Sequence, residues 1–264
     1  MNHCPICKTP TPNGVICAKC EADFPGPNDF DVPIPPYQMK WIEPGEFTMG
    51  SAKDAAGRDP DEDAYPVKLS KGFWIGATEV SQDLYLAVTK KSPSFFSKPD
   101  HPVENVSWNE AIMFCNMLSE LHNKEPAYQI PAGGSVIWNK NAEGYRLPTE
   151  AEWEYTAKCT NHSTGWGLAN SKLSSHPVGQ QFSEGISDMA GNVWEWCWDW
   201  YGPYPQHAAV DPMGRASGKY KVVKGGSWID NTRILRAANR AKALPNHKSN
   251  TIGLRLVRWG YKSD

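Results

Sequence analysis

Four cysteines in the first twenty residues, Cys4, Cys7, Cys17 and Cys20, are the densest group of candidate metal ligands in this chain of 264 residues. Cys4-Pro-Ile-Cys7 and Cys17-Ala-Lys-Cys20 are two C-x2-C knuckles, and each turn aims a pair of thiolates at one point. Together they suit a tetrahedral Cys4 site for structural Zn2+, with no position left open for substrate or water. A redox dithiol would need only one such pair. So short a segment has no core to fold around, and the metal would supply its folding free energy. The expectation is a zinc ribbon over residues 1–23 that serves as a docking element for a partner.

The other reactive side chains form no comparable constellation. Cys115, Cys159 and Cys197 are scattered through apolar surroundings, the pattern of buried thiols in a reducing compartment. Ser227 has only His247 as a sequence-suggested base, and Gly133-Gly134 is too short to cradle a phosphate. No Asp or Glu pair has a spacing that separates acid from base roles.

Residues 24–38 carry Pro25, Pro27, Pro33, Pro35 and Pro36, which keep the chain extended and predict a linker. From Met39 short alternating runs between turn residues predict strands. Ser107-Trp108-Asn109-Glu110 is a capping box that opens a helix to about His122, with Ile112, Cys115 and Leu118 at helical spacing. Thr149-Glu150-Ala151-Glu152 repeats the device for a helix carrying Trp153 and Tyr155, and a further helix begins at Ser81 and carries Leu84 and Val88. Trp194, Trp196, Trp198 and Trp200 alternate at a strand period, which places their rings on one face in core packing. Trp166 to Val257 is otherwise short segments broken by Gly, Pro, Asn and Asp, and such long irregular stretches are usually functional or ion-bound. Twelve Trp with 22 Gly and 22 Pro fit a loop-rich fold pinned by aromatics.

The charge balance, 27 Lys+Arg against 29 Asp+Glu, lacks any basic run longer than a pair, so neither nucleic acid nor an anionic membrane is an expected partner. No stretch approaches the roughly 18 apolar residues that cross a bilayer, and the start lacks a leader pattern. A soluble cytoplasmic protein is expected.

Several runs, in order along the chain, resemble one family. They are Gly45-Glu46-Phe47-Thr48-Met49-Gly50, Thr78-Glu79-Val80-Ser81, His101-Pro102-Val103, Val106-Ser107-Trp108, Tyr145 to Tyr155, Asp188-Met189-Ala190-Gly191-Asn192-Val193-Trp194-Glu195-Trp196, Val223 to Trp228 and Gly253-Leu254-Arg255. The family is that of the formylglycine-generating enzyme, or sulfatase-modifying factor. The resemblance implies a C-type-lectin-like α+β domain with much irregular structure over residues 39–260. It also implies structural Ca2+ held by the side chains of Asp188 and Glu195 and the carbonyls of Gly191 and Val193, a set of hard oxygen donors. Hydrogen bonding of these carboxylates to loop amides is the alternative. A second family calcium site is damaged: Asn170-Ser171 matches its first half, but the stretch to His176-Pro177-Val178 is too short for the rest. Arg146, Arg236, Arg240 and Arg255 fall inside family motifs, and each calls for a carboxylate partner.

The oxidase of this family needs two cysteines after its Gly-Gly-Ser motif, because soft thiolates select Cu(I). Aligned from Gly225-Gly226-Ser227-Trp228, those positions hold Asp230 and Leu235, and no cysteine follows Cys197. Formylglycine-generating activity is therefore not expected. The related iron-dependent sulfoxide synthases need three histidines from a further helical domain, which seven scattered histidines do not supply.

Another branch, the variable proteins of diversity-generating retroelements, is similar in its C-terminal frame. Here that frame reads Gly225-Gly226-Ser227-Trp228, Arg236-Ala237-Ala238-Asn239-Arg240 and Ile252-Gly253-Leu254-Arg255, with Ile229–Leu235 and Ala241–Thr251 between. The resemblance implies a ligand-binding protein whose surface includes Ile229, Asp230, Asn231, Arg233, Leu235, Ala241, Lys242, Ala243 and His247, facing a protein or other macromolecule. Lys242 and Lys248 do not arise from a mutated asparagine codon, which counts against a simple form of diversification. A non-diversified binding or accessory domain and an unrecognised enzyme of the family are the alternatives.

Overall fold

The computed structural model describes residues 2–3, 10–11, 34–132, 134–160 and 165–262. Cys4, Cys7, Cys17 and Cys20 lie outside them, as do Gly133 and most of the linker. Asn2–His3 pairs antiparallel with Pro10–Thr11.

The longer strands are β1 (Met39–Ile42), β2 (Gly45–Met49), β3 (Tyr65–Leu69) and β4 (Phe73–Gly76). Helices α1 (Gln82–Thr89), α2 (Trp108–Leu121) and α3 (Glu150–Cys159) follow. The chain closes with β5 (Trp194–Trp200), β6 (Lys221–Lys224), β7 (Arg240–Ala243), β8 (Ile252–Gly253) and β9 (Val257–Arg258). The four-stranded sheet has the order β7-β6-β5-β8, with β8 parallel to β5 and the other pairs antiparallel. A second sheet, β9-β4-β1, ties the last strand to β4 and β1. This mixed helix and sheet architecture with short strands and long connections agrees with the α+β expectation.

All three helices begin where side-chain oxygens can serve orphan amides. Ser107 and Thr149 each accept from the N3 amide, and Glu110 and Glu152 reach back to the cap residues. Ser81 accepts from Leu84 N without the reciprocal bond.

The period of two in β5 and β6 divides the core between the helices. Trp194, Trp196 and Val223 pack with Ala111, Ile112, Cys115 and Leu118 of α2. From the opposite face, Cys197 and Val222 pack with Ala151, Trp153 and Ala157 of α3. The expected single face of the tryptophan series is present.

Ion pairs clamp these layers, and each of the four motif arginines has the carboxylate partner that its burial demands. Arg146 pairs with Glu152, Arg236 with Glu62, Arg240 with Glu150 and Arg255 with Glu195, with closest contacts of 2.7 Å in every case. No helix among the described residues is long and apolar enough to cross a membrane.

Candidate functional site

The segment after β6 turns sharply because Gly225 and Gly226 hold φ of 99° and 77°, a region that favours glycine. A Cβ on Gly226 would also meet Leu235 Cδ2 at 2.5 Å. Asp230 then fixes the turn: its Oδ2 accepts from Ser227 N at 3.0 Å, Ser227 Oγ at 2.6 Å and Trp194 Nε1 at 2.9 Å. Neighbouring segments brace the same turn. Leu168 N donates to Asp230 O at 2.8 Å, Ser171 Oγ to Trp228 O at 2.7 Å, and Trp228 Nε1 to Asn250 O at 3.0 Å.

On this frame the expected binding residues separate into two groups. Ile229, Asn231, Arg233, Lys242 and His247 are exposed. Arg233 donates to Gly57 O at 3.0 Å and pairs with Asp59, and the Lys242 ammonium lies 4.5 Å from the centre of the Tyr201 ring. Leu235 and Ala243, by contrast, are buried. Leu235 fills the space under Gly226, and alternation along β7 turns Ala241 and Ala243 toward the α2 core while Lys242 faces out. Asp230 and Ala241 are half-buried. The accessible face is therefore narrower than the sequence reading. Its missing neighbours are Phe95 and Phe96: the Phe96 ring meets Trp228 edge-on with centroids 5.4 Å apart. Both sit in a loop bounded by Pro93 and Pro99 that has no period to reveal them.

The carboxylates expected to hold Ca2+ have other partners. Glu195 accepts from Arg255 Nε and Nη2 and from Trp153 Nε1 at 2.6 Å, so both of its oxygens face N–H donors. Asp188 accepts from Gly179 N at 2.6 Å and Gln181 N at 3.0 Å. These hydrogen bonds are the alternative to the oxygen cage that Asp188 and Glu195 would form with the carbonyls of Gly191 and Val193. Among the described residues no group of three or more His, Cys, Asp or Glu side chains could hold a metal ion. The charge is nevertheless unbalanced. Glu79 is buried beside Asp188 and Glu195, its Oε1 accepts from Asn192 Nδ2 at 3.0 Å, and its Oε2 has no partner. Burial and the neighbouring Asp188 raise the Glu79 carboxyl well above the usual range.

The tryptophan series also encloses a cation. Lys221 Nζ lies 3.9, 4.8 and 3.8 Å from the ring centres of Trp108, Trp198 and Trp200, and it donates to Trp198 O at 2.7 Å. Burial pushes this amine down to about 7, while the aromatic faces favour its charged form. The chain's own lysine thus fills the cage.

Cys115 and Cys197 are buried, and burial pushes both thiols up. Neither stands at the turn held by Asp230 and Leu235.

Residues 30–259 match the sulfatase-modifying factor enzyme 1-like domain. Chaperone protein LppX of Paenibacillus barcinonensis is 32% identical over 232 residues, which cover 70% of this chain and 80% of that protein. The formylglycine-generating enzyme of Streptomyces coelicolor is 30% identical over 192 residues, covering 61% of this chain and only 53% of the enzyme. Among solved structures, Treponema denticola variable protein 1 superposes with a TM-score of 0.76 at 31% identity, covering 84% of this chain and 95% of that one.

Proposed function

This chain belongs to the sulfatase-modifying factor enzyme 1-like family, and from that premise we propose that it is a recognition protein that displays a ligand-binding face on the family scaffold. The observation that carries this reading is the division of labour around the Gly-Gly-Ser-Trp turn. The positions of the oxidase cysteines are taken by a carboxylate that braces the turn and a leucine that fills the core. Beside them Ile229, Asn231, Arg233 and His247 on loops and Lys242 on β7 are exposed, on segments held by hydrogen bonds to a packed frame. The 31% identity with Treponema denticola variable protein 1 supports a surface whose residues vary.

Replacing Ile229, Asn231, Arg233, Lys242 and His247 together should abolish ligand binding and shift the melting temperature by no more than about 5–10 °C, since each exposed substitution usually changes stability by less than ~0.5 kcal/mol. A large fall in melting temperature would place these side chains in the core. Diversification itself is tested at the locus. A reverse-transcriptase gene with a near-copy of the codons for residues 225–257 supports it, and their absence reduces the reading to a fixed specificity. The likeness to a protein named as a chaperone favours a second reading, an accessory protein that acts on another polypeptide through the same face.

Cys4, Cys7, Cys17 and Cys20 are proposed to hold one structural Zn2+ in a docking ribbon. Purified chain should carry one zinc per molecule by elemental analysis, and Cys17→Ser with Cys20→Ser should lose it. Retained zinc in that variant would move the site elsewhere.

A further inference from the structure

Nine large apolar side chains are exposed among the described residues, and four of them gather beside the Gly-Gly-Ser-Trp turn: Phe95 at 69%, Leu173 at 61%, Leu168 at 50% and Ile229 at 48%. Hydrogen bonds hold together the segments that carry these side chains. The 168–175 segment is fastened to the turn through Leu168 N and Ser171 Oγ. Its far end meets the phenylalanine loop where Ser175 Oγ lies 2.9 Å from His101 Nδ1 and where Val178 N donates to Asp100 O at 2.9 Å. The phenylalanine loop in turn touches the last segment of the face, because Asn105 Nδ2 donates to Pro93 O and Asn105 N to Ser249 O. Soluble proteins seldom leave contiguous apolar patches exposed without a use for them.

The exposed charge beside this patch is weighted toward lysine. Within segments 90–101, 165–178, 227–235 and 244–250, Arg233 pairs with Asp59 and Lys248 with Glu110, while Lys98, Lys172 and Asp100 are exposed. The Asp230 carboxylate is consumed inside its turn, while Lys98 and Lys172, which lie close in sequence to Phe95 and Leu173, are exposed. Exposed Asn231, Thr232, Asn246 and His247 add directional hydrogen-bonding groups. Rigid aromatic anchors beside small polar groups are the composition of protein-binding surfaces, where a fluid bilayer would have no use for directed bonds.

Resting on the recognition reading above, we infer that Phe95, Leu168 and Leu173 extend the binding face beyond the changeable segments, and that its partner is a protein segment carrying apolar side chains flanked by carboxylates. The framework would supply constant apolar and electrostatic affinity, and the changeable residues would supply the choice among partners.

The test is selection of a random-peptide display library on the full chain, followed by binding of the recovered peptides. Enrichment of aromatic or aliphatic residues next to Asp or Glu is expected, with affinity that falls as salt rises. Phe95→Ser with Leu173→Ser and Lys98→Glu with Lys172→Glu should each weaken those peptides at least tenfold with unchanged melting curves. Three results would overturn the inference. They are peptides without acidic enrichment, dimerisation of the wild-type chain that Phe95→Ser abolishes, and sedimentation with phosphatidylglycerol vesicles in place of peptide binding. Ile229→Asp with Asn231→Ala separates the two readings. If it weakens the peptides while the Phe95 and Lys98 variants do not, this inference fails and the recognition reading stands. If no variant weakens them, both fail.

Discussion

Arg255→Met is expected to lower the unfolding free energy by about 3–5 kcal/mol, the usual result of deleting one partner of a sealed ion pair. Arg255 has no solvent exposure, and its guanidinium donates to both Glu195 oxygens, to Gly76 O at 2.9 Å and to Ser187 O at 2.8 Å. It therefore joins the end of β4, the segment at Ser187 and β5. Burial works against this charge, but Glu195 more than offsets it and the group stays above the normal arginine range. Its removal would leave Glu195, Glu79 and Asp188 together with no cation, and two backbone carbonyls without donors. Since whole domains are stable by only about 5–15 kcal/mol, the fall is a large fraction of the total. Urea denaturation should show it as a lower midpoint with an unchanged slope. The double variant Arg255→Met with Glu195→Gln should lose less than the sum of the single changes, because it no longer strands a charge. A single-variant loss below about 1 kcal/mol would mean that water replaces the guanidinium, and the cluster would not be sealed.

What could be read from residue order is what depends on neighbours in sequence. Ser107 with Glu110 and Thr149 with Glu152 are three apart, and both capping boxes form where that spacing predicts. The common face of Trp194, Trp196, Trp198 and Trp200 follows from strand pleating alone. That each motif arginine would need a carboxylate was also legible, but its partner was not: Glu62 lies 174 residues from Arg236, and only the fold joins them. The same limit hid Lys221, which enters the tryptophan cage because β6 pairs with β5 and sets it opposite Trp200. Ala243 is a different case. Arg240-Ala241-Lys242-Ala243 alternates at period two, so its inward turn was available from the pattern once the segment was read as a strand. The family frame drew attention to changeable positions and passed over the fixed loop at Phe95 and Phe96, which has neither a motif nor a period. It set Asp188 and Glu195 together as ligands and gave no sign that the fold brings Arg255 to Glu195.

The charge left over at that cluster makes a second large effect predictable. Glu79 has one oxygen on Asn192 and one with no partner, and burial first, then Asp188 and Glu195, raise its carboxyl well above the ordinary 4.5. Asp188 is raised in the same sense, chiefly by burial, although the Gly179 and Gln181 amides oppose the change. A carboxyl whose folded pKa is raised binds its proton more tightly in the folded chain. Its contribution to stability is complete below the unfolded value and is lost as pH rises through the folded one. These carboxyls should therefore withdraw stability as pH rises from about pH 5 toward pH 8, by up to about 1.4 kcal/mol per pH unit for each proton held. Asp199, raised to about 8 mainly by burial and by Glu150, adds to this decline. Lys221, His101 and His122, all lowered by burial, act in the opposite sense, so the effect is read as the difference between wild type and Glu79→Gln. Glu62, lowered to about 2 as Arg236 outweighs its burial, acts on the acid side, where its contribution is lost as pH falls. Glu79→Gln keeps the acceptor for Asn192 and removes the titration. It should be more stable than the wild type at pH 8, nearly equal to it at pH 5, and flatter between the two in urea-denaturation free energies. Loss of stability at both pH values would mean that the ionised carboxylate is needed. Added calcium provides the discriminating control at pH 8. A rise in the melting temperature of the wild type that is absent from Glu79→Gln would show a divalent cation, rather than a proton, balancing Glu79 and Asp188, whereas indifference to calcium and chelator is the result expected if the proton does.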